Sequence, residues 1–111
     1  MPEFEVCALD ELPPGTVRVV EIPVVKAGLP ITIGVYNCGG ELFALEDRCS
    51  HDDGPLCEGD FDCAEKVAVC PRHGARFDIT TGRALTLPAY LPVETYPVRV
   101  GDDGMVVVVV A

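Results

Sequence analysis

The chain has 111 residues, 49% of them apolar, and its 18 acidic side chains against 8 basic ones give a net charge of −10. That length suits one domain, and the apolar share with abundant valine excludes disorder. The acidic balance excludes nucleic acid and anionic membrane surfaces as partners, because both need Lys and Arg.

Met1-Pro2-Glu3-Phe4-Glu5 is polar and acidic, with none of the basic and apolar character of a leader segment. The longest apolar run, Met105 to Ala111, is far shorter than the ~20 residues that cross a bilayer, so it reads as a buried strand. A soluble, cytoplasmic protein is expected.

In chain order, Phe4 to Leu9 alternates weakly and predicts a first strand, turned by Pro13-Pro14-Gly15. Thr16 to Ile22 is β-branched and apolar at alternate positions, a second strand ending at Pro23. Ile31 to Tyr36 and Glu41 to Leu45 flank Asn37-Cys38-Gly39-Gly40, a strong hairpin signal. Residues 55 to 66 carry no helical stripe and read as a loop or short turn, and Val67 to Val69 as a short strand. Arg76 to Ile79 and Arg83 to Leu85 flank Thr80-Thr81-Gly82, a second hairpin. Pro88 and Pro92 interrupt pairing, and Val93 to Val100 with Met105 to Val110 form a closing hairpin around Gly101-Asp102-Asp103-Gly104. Eight to ten short strands and no helix predict an all-β antiparallel sandwich or barrel.

The metal site is read from two stretches, Cys49-Ser50-His51 and, eighteen residues later, Cys70-Pro71-Arg72-His73. They hold both histidines of the chain, each beside a cysteine. Cys49, His51, Cys70 and His73 thus offer two thiolates and two imidazoles as matched pairs, a four-ligand set. Zinc fingers group Cys with Cys and His with His, whereas each arm here mixes one sulfur with one nitrogen. A mononuclear zinc site is the competing reading.

The two arms, with Gly54 after the first and Gly74 and Phe77-Asp78 after the second, resemble the Rieske family; Gly82 and Pro88 fit it too. The resemblance covers nearly the whole chain and implies a Rieske-like β base, with a small cluster-binding subdomain at about 47–83 inside a single domain, 1–111. It implies a [2Fe–2S] cluster in which Cys49 and Cys70 hold one iron and His51 and His73 the other, the histidine edges forming the electron port. The chain is then expected to be an electron carrier and not itself an enzyme. It would pass electrons from an NAD(P)H-dependent flavin reductase (a ferredoxin reductase) to a terminal non-haem iron oxygenase, an aromatic-ring dioxygenase being the commonest acceptor in the family. Two rival readings are a redox sensor or structural metal module, and a subunit of the oxygenase itself. The last would need a further two-His-one-carboxylate iron site, for which no histidine remains.

The sequence departs from high-potential Rieske proteins in two ways. The positions of their clamping disulfide are Gly54 and Arg72 here, and the positions of their Ser and Tyr hydroxyl donors are Ala75 and Phe77. Loss of donors to the cluster sulfurs predicts a potential at the lower end of the Rieske range.

Other residues allow more than one reading. Cys57 and Cys63, between the arms, could pair, but an intracellular setting favours two reduced thiols. Cys7 reads as a small core residue, and Cys38 as a turn residue without an evident partner. Gly54 and Gly74 suit tight turns or close backbone approach to the cluster, and Pro71 stiffens the second arm. Arg72 and Arg76 either contact a partner or offset nearby acids. From Glu41 to Glu65 nine acidic residues face one basic residue, Arg48. They form either a collar that steers a basic partner or a solubilising surface, and Asp52 and Asp53 beside the ligands favour the collar.

Overall fold

The computed structural model describes residues 3–26, 29–49, 55–72, 74–87, 89 and 91–110. Among these residues, ten antiparallel strands form three sheets: β1 (Glu3–Ala8), β10 (Met105–Val109) and β9 (Val98–Val100) in the first, and β2 (Thr16–Lys26), β3 (Leu29–Cys38), β4 (Glu41–Glu46) and β8 (Thr95–Tyr96) in the second. The third consists of β5 (Phe61–Asp62), β6 (Val67–Val69) and β7 (Arg76–Asp78). The only helical turn among the described residues is a 3-10 turn at Leu9–Glu11, and no helix there is long and apolar enough to cross a membrane. The all-β expectation is met.

The second sheet is the central layer, and the two-residue period of its strands separates two cores. Ile33 and Val35 of β3 and Ala44 of β4 bury against Val106 and Val108 of the first sheet, with Cys7 and Leu12. Tyr36 and Cys38 of β3 and Leu45 of β4 bury in the opposite core, with Cys49, Leu56, Cys57, Ala68, Cys70 and Phe77. The metal arms therefore lie on one face of a sheet whose other face closes the base of the protein.

The β3–β4 hairpin turns on Gly39 and Gly40, with φ of +67° and +99° and Cys38 paired to Glu41. Both turn residues thus adopt the left-handed region that glycine enters without steric cost. The buried Asn37 side chain fixes the turn: its Nδ2 donates to the Leu12 carbonyl at 2.7 Å and its Oδ1 accepts from the Gly40 N–H at 2.8 Å.

Three strand expectations are corrected. The second strand runs through Pro23 to Lys26, because a bulge between Ile22 and Val25 takes up the register shift; proline is tolerated where the ladder is already broken. Val93 to Val100 is not one strand. It divides at Pro97, with β8 pairing to β4 and β9 to β10, so the chain changes sheet where it lacks an N–H to donate. The returning arm of the Thr80-Thr81-Gly82 hairpin is a single bridge, Phe77 to Ala84. Residues 55 to 66, read as a loop, contribute the short strand β5.

Candidate metal centre

The first arm leaves β4 under tight control. Asp47 N–H donates to the Thr32 carbonyl at 2.8 Å, which holds the chain beside β3 just past the strand end. Asp47 Oδ1 then accepts from two backbone donors across the arm, Leu56 N–H at 2.9 Å and Cys57 N–H at 2.7 Å. One carboxylate thus closes the segment that contains Cys49. Bonds from N–H groups to a charged acceptor are among the stronger ones in a folded protein.

Cys57 fits this closure because Gly34 faces it from β3. A Cβ on Gly34 would sit 2.5 Å from both Cβ and Sγ of Cys57, so the close approach requires glycine. Burial pushes the Cys57 thiol up to about 12, against the opposing effect of a hydrogen bond with Tyr36, and Asp47 raises it further. Cys57 is therefore a neutral thiol at physiological pH and a poor metal donor. Burial likewise raises the Tyr36 hydroxyl, assisted by Cys57 and Asp47. The Tyr36 ring packs edge-on to Phe61 with centroids 5.0 Å apart.

The second arm is a tight loop between β6 and β7. Cys70 N–H donates to the Ala75 carbonyl at 2.8 Å and Gly74 N–H to the Cys70 carbonyl at 2.9 Å, with Gly74 at φ +73°. The arms meet at Gly59, where a side chain would collide with the Val69 carbonyl and Pro71. Arg76 N–H donates to Thr86 Oγ1 at 2.9 Å and Leu85 N–H to the Arg76 carbonyl at 2.7 Å, tying the following loop to the same end.

The two arms bring Cys49 and Cys70 into one core cluster, at 0% and 1% exposure, and neither is disulfide-bonded. His51, His73 and Gly54 lie outside the described residues, as do Ser50, Asp52 and Asp53. Ala75 and Phe77 are fully buried in the same cluster as the two cysteines, and neither carries a hydroxyl. Arg72 and Arg76 are exposed.

Two sequence expectations change here. Cys63 is disulfide-bonded, and its partner is Cys38, which the sequence left without one. The β3–β4 hairpin carries Cys38 to the turn after β5, bringing the two Cα atoms to 5.2 Å across a separation of 25 residues. Nothing in the linear spacing signals that meeting. The acidic stretch is also less free than its charge suggested: Asp47 closes the first arm, Asp62 accepts from Ala64 N–H at 2.8 Å, and Glu46 pairs with Arg48 at 3.0 Å.

Comparison with known proteins agrees with the fold. The Rieske [2Fe-2S] domain family matches residues 3–97, and the chain belongs to that family. Relatives include the 3-phenylpropionate/cinnamic acid dioxygenase ferredoxin subunit of Photorhabdus laumondii subsp. laumondii, 39% identical over 98% of this chain and 96% of the relative. Among solved structures, the ferredoxin of carbazole 1,9a-dioxygenase from Nocardioides aromaticivorans IC177 superposes with TM-score 0.82 at 30% identity, covering 97% of each chain. A complex of reduced oxygenase and oxidized ferredoxin in carbazole 1,9a-dioxygenase gives TM-score 0.80 at 34% identity, covering 96% of this chain and 91% of that one. The cofactor of the family is a Rieske-type [2Fe–2S] cluster, and two buried thiols that are outside any disulfide, delivered by separate arms into one pocket of core, suit its cysteine-held iron.

Proposed function

We propose that Cys49 and Cys70 ligate one iron of the cluster and His51 and His73 the other, and that residues 47–83 act as the cluster-binding subdomain of one domain spanning 1–111. The observation that carries this is the burial of Cys49 and Cys70 in a single core cluster at the ends of two hydrogen-bonded arms. The histidines follow those cysteines by two and three residues on the same arms.

The protein is a one-electron carrier of the ferredoxin type, the electron-transfer component of a multicomponent dioxygenase system and not its oxygenase. The bound cluster supplies one-electron exchange, without an open position for substrate. The chain's own part is to hold the cysteines in hydrogen-bonded arms, to surround them with apolar side chains, and to offer a face beside the second arm to a partner. Neutral imidazoles in place of two thiolates raise the potential relative to all-cysteine ferredoxins, while the apolar Ala75 and Phe77 keep it low within the Rieske range.

The electron donor we assign is an NAD(P)H-dependent flavin reductase, and the acceptor a terminal non-haem iron oxygenase of the aromatic-ring type. Both act in the cytoplasm, where the nicotinamide donor is available. The face offered to them combines the exposed Arg72 and Arg76 with Leu85 and Leu87, of which Leu87 is 79% exposed. Leu85 and Thr86 are hydrogen-bonded to Arg76, so this apolar loop adjoins the second arm. Exposed leucines grouped beside a redox centre suit a short-lived protein contact.

EPR before and after dithionite, with iron and sulfide analysis, tests the reading. A rhombic signal of low average g on reduction, with about two irons and two sulfides per chain, is the expected result. His51→Ala and His73→Ala should each abolish that signal, and an unchanged spectrum in both would overturn the ligand set. One zinc per chain without sulfide would replace the carrier by a structural metal module.

A further inference from the structure

The Cys38–Cys63 bridge lies outside the ligand set and joins two parts of the fold that also share one apolar core. Cys38 ends β3 in the central sheet, and Cys63 follows β5 on the segment between the two metal arms. Among the described residues, the other side-chain ties at this end are the Tyr36–Phe61 ring contact and an exposed Lys66–Glu41 pair at 3.8 Å. Such a surface pair contributes little. The disulfide is therefore the covalent fastening between the third sheet and the hairpin, added to the apolar packing they share.

Its two sulfurs are unequally accessible. Cys38 is buried at 6% exposure, whereas Cys63 is half-buried and lines an open groove of about 320 Å³ together with Gly15, Gly59, Asp60 and Phe61. An external thiolate can approach Cys63 from this groove with Cys38 as the leaving group. The reduced state has a place prepared as well, since Cys63 Sγ lies 3.8 Å from the Asn37 carbonyl oxygen, an acceptor for the thiol.

We propose that Cys38–Cys63 is a thiol–disulfide exchange site for a dithiol protein reductant, and that its redox state sets how firmly the cluster-bearing arms are held. The second half rests on the ligand reading above. In the exchange, a donor thiolate bonds to Cys63 Sγ as the Cys38–Cys63 bond breaks, and Cys38 leaves as a thiolate and takes up a proton. The second donor thiol then displaces Cys63, which is released as a thiol. Two electrons and two protons pass to the bridge, and the donor dithiol becomes a disulfide.

The test counts alkylated cysteines after denaturation. The oxidised protein should take four alkyl groups, on Cys7, Cys49, Cys57 and Cys70, and six once the bridge opens. Incubating the folded, cluster-loaded protein with a thioredoxin-class dithiol should move the count from four to six while the visible spectrum persists. A count that stays at four in the folded protein but reaches six after unfolding would overturn the exchange site, and so would six from the start under oxidising conditions. The double variant C38S/C63S should lose iron to a strong chelator at least about tenfold faster than the oxidised wild type. Equal rates would overturn the link to the arms. The alkylation count does not depend on iron, so a protein that passes it but assembles no cluster would indict the ligand reading alone.

Discussion

Asp47 and Cys57 stand ten residues apart, and the Asp47 carboxylate receives the Cys57 backbone N–H at 2.7 Å with the neighbouring Leu56 N–H at 2.9 Å. One side chain thereby fixes the span of the arm that includes Cys49. Asp47→Ala leaves both donors without this acceptor, at a cost of about 2–3 kcal/mol. Asp47→Asn keeps a carbonyl oxygen in place and should recover part of the loss. Thermal unfolding of the loaded proteins measures the difference, and faster iron loss from the Ala variant would locate it in the arm.

Gly34 forms the other wall of the same closure. In Gly34→Ala the new methyl group meets Cys57 at 2.5 Å, and the arm or β3 must shift. Overpacking of this kind costs about 1–3 kcal/mol. The double variant G34A/C57G removes both colliding atoms, Cβ and Sγ, and should be less destabilised than the sum of its single changes, which denaturant melts would reveal.

Ala75 and Phe77 sit in the core cluster of the two cysteines where high-potential relatives carry hydroxyls. Ala75→Ser and Phe77→Tyr should each raise the reduction potential. A hydrogen bond contributing about 1 kcal/mol to the reduced state corresponds to a rise of about 40 mV for one electron. Protein-film voltammetry reads the shift directly, and a fall in potential in both variants would refute the assignment of these positions.

The Cys57 thiol has its value raised by burial from about 9 to about 12 in the folded chain. A raised value means that the folded state retains a proton the unfolded chain has released. Stability from this group is therefore complete below pH ~9 and is lost as pH climbs toward ~12. Cys57→Ala should flatten the decline over that window relative to wild type, even if its stability at neutral pH is lower. Urea midpoints from pH 8 to 11 would show it.

Leu87 is the most exposed large apolar residue of the loop that adjoins the second arm. Leu87→Asp should slow electron delivery to the oxygenase several-fold, through a weaker encounter, and leave the potential and the EPR spectrum unchanged. Stopped-flow oxidation by the oxygenase, with rates compared at several concentrations, separates weaker binding from slower transfer.

The parts of this fold governed by local chemistry were legible in the sequence. Gly39-Gly40 and Gly101 to Gly104 announced their hairpins because tight turns require backbone angles that few residues supply. Cys49 and Cys70 were legible as partners in one buried cluster, because metal donors are contributed in fixed sets. Contacts set by the meeting of distant segments were not legible. Cys38 and Cys63 are brought together where the end of β3 meets the turn after β5, and Asp47 looked like one more acid in an acidic stretch until its oxygen faced two backbone donors. Pro23 reads as a strand end by the general rule that proline interrupts pairing, and that rule misses the bulge that absorbs it. Pro97 lies inside the expected strand Val93 to Val100, where the same rule, left unapplied, marks the change of sheet.

The alternation along β3 divides the labour of a single strand. Ile31, Ile33 and Val35 face the base of the protein, while Gly34, Tyr36 and Cys38 face the arms or the bridge beside them. Odd positions can therefore drift with the demands of folding, and even positions with the demands of electron transfer. These six sites, set on opposite faces between Ile31 and Cys38, give selection two nearly independent dials on one short piece of backbone.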